Sequence, residues 1–200
     1  ECVVVRSAPP MRAPRNHGSA PIADRSSRDG QRTVLGPASM FSAARDRWNV
    51  LTSAALVGIA EGAMRLGVQY VMERYQFDVP IGSFQSVQHG LADLPVLVDA
   101  GRLLTHKAAW ALSEVTDGIV DWRNNDIDDG PSLAAMALVF ATDAAMTSTD
   151  RSLHYHGGYG FAEEYDVQLY YRRARGWSLI AGDPTDLCLE LADRFFGEVA

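Results

Sequence analysis

The chain has 200 residues, 47% of them hydrophobic and 22% charged, a balance that suits one globular domain and excludes a chain disordered throughout. Its net charge of −7 argues against a general nucleic-acid binder. That charge is uneven: residues 1–40 carry six Arg against Glu1, Asp24 and Asp29, a net of +3, which leaves −10 for residues 41–200, the pattern of a tail attached to an acidic domain.

Residues 1–40 hold the stretches "APPMRAP", "NHGSAP" and "DRSSRDGQ". Pro, Gly, Ser and Arg punctuate them without apolar periodicity, which predicts a disordered tail or linker. The apolar run Cys2–Val5 is too short for the core of a signal peptide. No apolar run approaches the ~18–20 residues that a membrane helix needs; Leu133–Met146 is interrupted by Asp143. Cys2 and Cys188 are the only cysteines, which points away from a disulfide framework and toward a reducing, cytoplasmic compartment.

The texture changes at Phe41. Leu51, Ala55, Leu56, Ile59, Ala60, Met64 and Val68 recur at helical spacing and predict a long amphipathic helix over 43–75. Val79 precedes Pro80, which disfavours helical geometry there. Ser83 is then placed to cap a second helix running to about Val115, with Val87, Leu91, Leu94, Val98 and Leu103 as its buried stripe. "TDGIVDWRNNDIDDG" reads as a polar loop. Gly130-Pro131 opens a third helix with Met136, Phe140, Ala144 and Thr147 on its stripe, and Gly157-Gly158 stops it. A fourth helix is expected over 163–175. Gly182-Asp183-Pro184 reads as stop, cap and first position of a last helix over 184–197. No stretch alternates convincingly with a period of two. The expected class is all-α: an antiparallel four-helix bundle over 41–200, preceded by the disordered tail 1–40.

Two breaks carry unusual residues. In "RYQFDVPIGSFQSVQHGLAD", Arg74 offers a planar donor suited to phosphate, Phe77 a stacking face, and Gln85 a place in a helix's first turn, where free N–H groups favour anions. A capping arginine, a core phenylalanine and an exposed glutamine is the competing structural reading. In "LHYHGGYGF", Gly157 and Gly158 allow close backbone approach of a ligand, or simply end a helix. His154 and His156 stand two residues apart without a Glu-x-x-His companion, so no metal site is expected. Arg172, Arg173 and Arg175 lie late in the fourth helix, where they complement its dipole.

Together these stretches resemble one family. The first is similar to the Arg-x-x-Phe-Gly-x-Pro-Ile-x-x-Phe-Gln-x-x-x-His signature of acyl-CoA dehydrogenases. "LHYHGGYGFAEEYDVQLYYRRAR" resembles their second signature, built on Gly-Gly-x-Gly-Phe, an acidic pair and an Arg-rich helix. The resemblance covers residues 41–200 and implies the C-terminal four-helix bundle of a three-part enzyme. It implies FAD as cofactor and an acyl-CoA thioester as substrate. It also implies association with a second subunit, identical or not, whose flavin this bundle helps to hold. Carried over, Arg74 meets the pyrophosphate, Phe77 packs beside the flavin, and Gln85 hydrogen-bonds to it. His154 takes the place of a common Gln, and Gly157 and Gly158 admit the adenosine end.

The sequence departs from the family at two places. Asp78 replaces a glycine and sets a negative charge beside the supposed phosphate site. The carboxylate base, which many members place just before a Gly after the fourth helix, is Ala181 here. In other members the base stands near the start of the first helix, where Arg47-Trp48-Asn49 offers no acid and Asp46 is the nearest. This pattern resembles the paired acyl-CoA dehydrogenases of steroid side-chain degradation, in which one of two unlike subunits lacks the base. A non-catalytic helical association module derived from the family is the alternative.

Overall fold

The structure, a computed structural model, describes residues 1–6, 15–19, 26, 28, 30–117, 129–180 and 182–197. Five helices carry the described chain: α1 (Ser39–Glu73), α2 (Gln85–Asp117), α3 (Gly130–His156), α4 (Val167–Trp177) and α5 (Pro184–Phe196). Local chemistry sets their ends. The Asp129 carboxylate accepts the Ser132 N–H at 2.8 Å, with Pro131 in the first turn of α3. Gly157, at φ +61°, ends α3 in a conformation that favours glycine. Asp183 accepts the Thr185 N–H at 2.9 Å and starts α5. Ser83, expected as a cap, instead donates its hydroxyl to Pro80 O within a 3-10 turn over Ile81–Ser83. Most of the loop expected between α2 and α3 lies outside the described residues.

Contacts fix the helix directions. Gly67 of α1 lies against Ser152 of α3, and Tyr70 stacks on His156, so α1 and α3 run parallel and end at one level. Gly90 meets Tyr155 and Arg151 at that end, while Gly130 meets Leu112 at the other, so α2 runs antiparallel to α3. Tyr170 of α4 packs on Gly62, and Arg194 of α5 reaches Ser132. The fourth position of the bundle is therefore shared by α4 and α5 in succession. The antiparallel four-helix plan read from the sequence holds.

The core centres on α3, whose Leu133, Ala137, Leu138, Ala141 and Ala145 are buried. Leu56, Val57, Ile59 and Ala60 of α1 meet Val98 of α2, Ala174 of α4 and the middle of α3 in one cluster. A second cluster joins Val50 to Ala108, Ala111 and Leu133. The expected stripes are right at their centres and wrong at their edges. Leu51, Val68 and Leu103 face outward, and Asn49, Ser53 and Thr105 take the buried face. Small and short polar side chains sit there because the helices approach too closely for leucine. The Ser53 and Thr105 hydroxyls donate to the carbonyls of Asn49 and Gly101, four residues back.

Within residues 1–40, read from the sequence as a disordered tail or linker, two short stretches are paired. β1 (Cys2–Arg6) and β2 (Gln31–Gly36) pair antiparallel, Val4 opposite Thr33 and Val5 opposite Arg32. Their β-branched residues favour the extended backbone. The membrane reading also changes. By length and composition, Ser39–Glu73 and Gly130–Phe161 are apolar enough to cross a membrane; tolerating the scattered charges brings them within range. In this fold both supply the bundle's buried interior.

Leu56 is 0% exposed and Leu103 is 68% exposed. Leu56→Ala is expected to lower stability by about 2–5 kcal/mol and Leu103→Ala by no more than about 0.5 kcal/mol, read from urea midpoints.

Candidate functional site

The first break is a tight hairpin laid across the end of α1. Arg74 leaves the helix with extended backbone while its N–H still reaches Tyr70 O. β3 (Tyr75–Gln76) then pairs with β4 (Val79–Pro80), which leaves a two-residue turn of Phe77 and Asp78. Both turn residues have positive φ, 53° and 64°, as the primed turns of such hairpins require. Aspartate tolerates that region, which accounts for Asp78 where the resemblance expects glycine. Phenylalanine adopts it only at a cost. Phe77 is 89% exposed and touches Phe84 edge-on at 6.4 Å, so the hairpin tip presents an aromatic ring outward. It is not a core residue.

The second break meets the first. Arg74 sits over the Tyr159 ring at 6.0 Å, Tyr159 packs on Tyr165, and Tyr165 packs edge-on to His156. His156 is buried, donates Nδ1–H to Ser152 O at 2.7 Å, and stacks on Tyr70 at 4.1 Å. His154 is exposed. The two histidines therefore divide, one structural and one on the surface. Between the start of α2 and the end of α3 lies a groove of about 450 Å³, lined by Ser86, His89, Asp93, Arg151 and His154 among others. Arg151 ties α3 to α2 there, pairing with Asp93 at 2.9 Å and donating to Gly90 O.

All six expected cofactor contacts, Arg74, Phe77, Gln85, His154, Gly157 and Gly158, therefore stand at one end of the bundle, and all are exposed. The glycines show whether a ligand fits. Gly157 needs its positive φ to end α3. Gly158 has no such φ, and a Cβ there would meet nothing within 4 Å. Neither backbone conformation nor packing among the described residues calls for glycine at 158; a ligand lying on the backbone would. With a guanidinium, an amide and an outward ring beside it, the donor set fits a dinucleotide such as FAD. Sequence reasoning missed His89, Arg151 and Tyr159. His89 and Tyr159 lie inside the quoted motifs, but only the fold shows what they face.

A model of the acyl-CoA dehydrogenase C-terminal domain matches residues 42–195. The chain belongs to the acyl-CoA dehydrogenase family. It is 32% identical over 167 residues to acyl-CoA dehydrogenase IpdE2 of Mycolicibacterium smegmatis, covering 84% of this chain and 47% of that protein. Among solved structures, the Tcur3481-Tcur3483 steroid ACAD variant superposes with TM-score 0.70 at 26% identity, over 83% of this chain and 42% of that one. The ChsE4-ChsE5 complex from Mycobacterium tuberculosis superposes with TM-score 0.73 at 23% identity, over 99% of this chain and 50% of its counterpart, a likeness of fold. The chain spans about half the length of these relatives.

Of the two candidate base positions, Asp46 alone lies among the described residues. Ala181 lies outside the described residues. Asp46 sits at the opposite end of α1, about 40 Å along the axis from Arg74 at 1.5 Å per residue. It is buried, with Arg45, Arg47, Arg194 and Asp129 around it. Burial raises its carboxyl above the ordinary 3.8, against the pull of Arg45 and Arg194. A raised folded pKa means that folding favours the protonated form. That contribution to stability is full below 3.8 and is lost as pH rises through the elevated value. The amide of the Asp46→Asn variant has no such proton to hold. The stability of the parent relative to Asp46→Asn should therefore fall as pH rises above 3.8, followed by urea midpoints. A parent that gains on the variant as pH rises would show that the arginines outweigh burial.

Proposed function

We propose that this chain is one wall of an FAD-dependent acyl-CoA dehydrogenase site, completed by another acyl-CoA dehydrogenase subunit. The observation that carries the reading is the meeting of the two breaks at Arg74 and Tyr159, beside a glycine that the described chain itself does not need. When bound, FAD supplies the two-electron acceptor for α,β-dehydrogenation of an acyl-CoA thioester. Arg74 holds the pyrophosphate, Phe77 covers the flavin edge, Gln85 and His154 hydrogen-bond to the dinucleotide, and Gly157 and Gly158 leave room for its adenosine end. Removal of the α-proton requires a base beside the substrate. Ala181 supplies none, and Asp46 is enclosed by arginines, so the partner subunit provides it. The Tcur3481-Tcur3483 and ChsE4-ChsE5 assemblies, each named for two components, favour a hetero-oligomer. Cys2 and Cys188 are both free thiols, in keeping with a reducing, cytoplasmic setting.

The alternative, an association module without catalysis, draws support from α2. Val96, Leu103 and Trp110 are exposed at seven-residue spacing and form one apolar row along the helix. Both readings require a partner; only the first requires flavin.

A dinucleotide held by one wall loses most of its contact area, so the chain alone should purify with less than one FAD and bind added FAD weakly. Arg74→Gln and Gly158→Ala should each weaken that binding about tenfold, the worth of one charge-assisted hydrogen bond or one steric block, with helicity unchanged. Fluorescence titration with FAD measures this. Equal affinity in parent and variants would remove flavin from the proposal and leave the association module.

A further inference from the structure

Part of the segment before the helical domain returns to the bundle and builds a second cleft. Residues 16–19 form a turn, the Ser19 N–H reaching Asn16 O at 3.2 Å. Gly18 is buried against α4, where the Trp177 indole N–H donates to its carbonyl at 2.8 Å. The two backbones touch: a Cβ on Gly176 would overlap Gly18 N and Cα. Trp177 is packed against the main core cluster, so this short segment is latched to the rigid part of the molecule. Beside the latch lies a cleft of about 430 Å³, with Arg15 and His17 on one side and Phe161, Glu163, Gln168, Tyr171 and Arg172 on the other.

We propose that this cleft is a second site, separate from the flavin face, for a phosphorylated ring compound of nucleotide size. Its volume falls within the ~300–1,000 Å³ of small-molecule sites. Arg15 and Arg172 both line it, with fork-shaped guanidinium groups suited to phosphate oxygens. Phe161 and Tyr171, edge-on at 6.4 Å, give an aromatic wall for a planar ring. Gln168 is buried and anchors Arg172 through its side-chain oxygen at 3.2 Å. Glu163, the carboxylate of the described lining, is an acceptor for hydrogen bonds from sugar hydroxyls or an exocyclic amine. The lining thus combines cationic groups, a ring wall and an acceptor carboxylate.

Calorimetric titration of the full chain with ADP, and separately with inorganic phosphate, tests this. ADP is expected to bind, and phosphate more weakly because it cannot use the ring wall. Arg15→Gln and Arg172→Gln should each weaken ADP about tenfold. Gly176→Ala, which replaces no lining residue but unseats the latch, should do the same. Arg65→Gln, exposed on α1 and lining neither the cleft nor the flavin face, should change nothing, and Arg74→Gln reports any ADP held on the flavin face. Circular dichroism checks that each variant is folded, and Arg15→Gln, in an exposed position, keeps the test open if Arg172→Gln fails to fold. Absence of ADP binding at about 1 mM, a free energy of only about −4 kcal/mol, would overturn the proposal. So would unchanged affinity in Arg15→Gln, or a loss confined to Arg74→Gln, which would place ADP on the flavin face.

Discussion

The close parallel packing of α1 on α3 is the constraint from which the rest follows. Gly67 permits it: a Cβ there would sit 2.7 Å from Ser152 Oγ, nearer than packed atoms come. Because the two helices run side by side in one direction, they end at one level. The residues that follow them in sequence, the hairpin after Glu73 and the glycine-rich turn after His156, are therefore neighbours in space. The Tyr70–His156 stack locks that level, and the contact of Arg74 with Tyr159 is its consequence.

This arrangement separates the molecule's two ends by task. At the end of α1 and α3, Arg74, Phe77, His154 and Tyr159 are exposed among the described residues. At the other end the polar groups are turned on one another: Asp46 among arginines, Arg45 paired with Glu190 at 3.3 Å, and Arg194 on Ser132. The first is the chemistry of a surface that meets something else; the second ties α5 back to α1 and α3. An exposed recognition face, with alanine at the position where the resemblance places the base, is in keeping with the proposed shared site.

Much of the fold was legible because helix ends are written locally. Asp129 with Pro131, Gly157, and Asp183 with Pro184 each announce a boundary within a few residues. The faces of the helices were harder. Leucine periodicity pointed to Leu51 and Leu103, yet where helices approach closely the buried face belongs to Ser, Thr, Gly and Ala, which carry no hydrophobic signal. The site residues were legible as motifs, while their conformations were not. Nothing in "QFDVP" announces positive φ at both Phe77 and Asp78; pairing of the flanking residues forces it. Contacts such as Gly18 on Gly176 join distant parts of the chain and have no local signature at all. The β1–β2 pair was missed because two short strands among Pro, Gly and Arg do not establish a period.

The central claim is that the paired ends of α1 and α3 form a cofactor-facing wall completed by another subunit. Hydrogen exchange of this chain, co-purified with a full-length acyl-CoA dehydrogenase subunit and compared with and without FAD, tests it most directly. The account predicts that FAD slows exchange in residues 74–85 and 154–159 and leaves the region around Asp46 unchanged. Protection around Asp46 with none at the two breaks would contradict it.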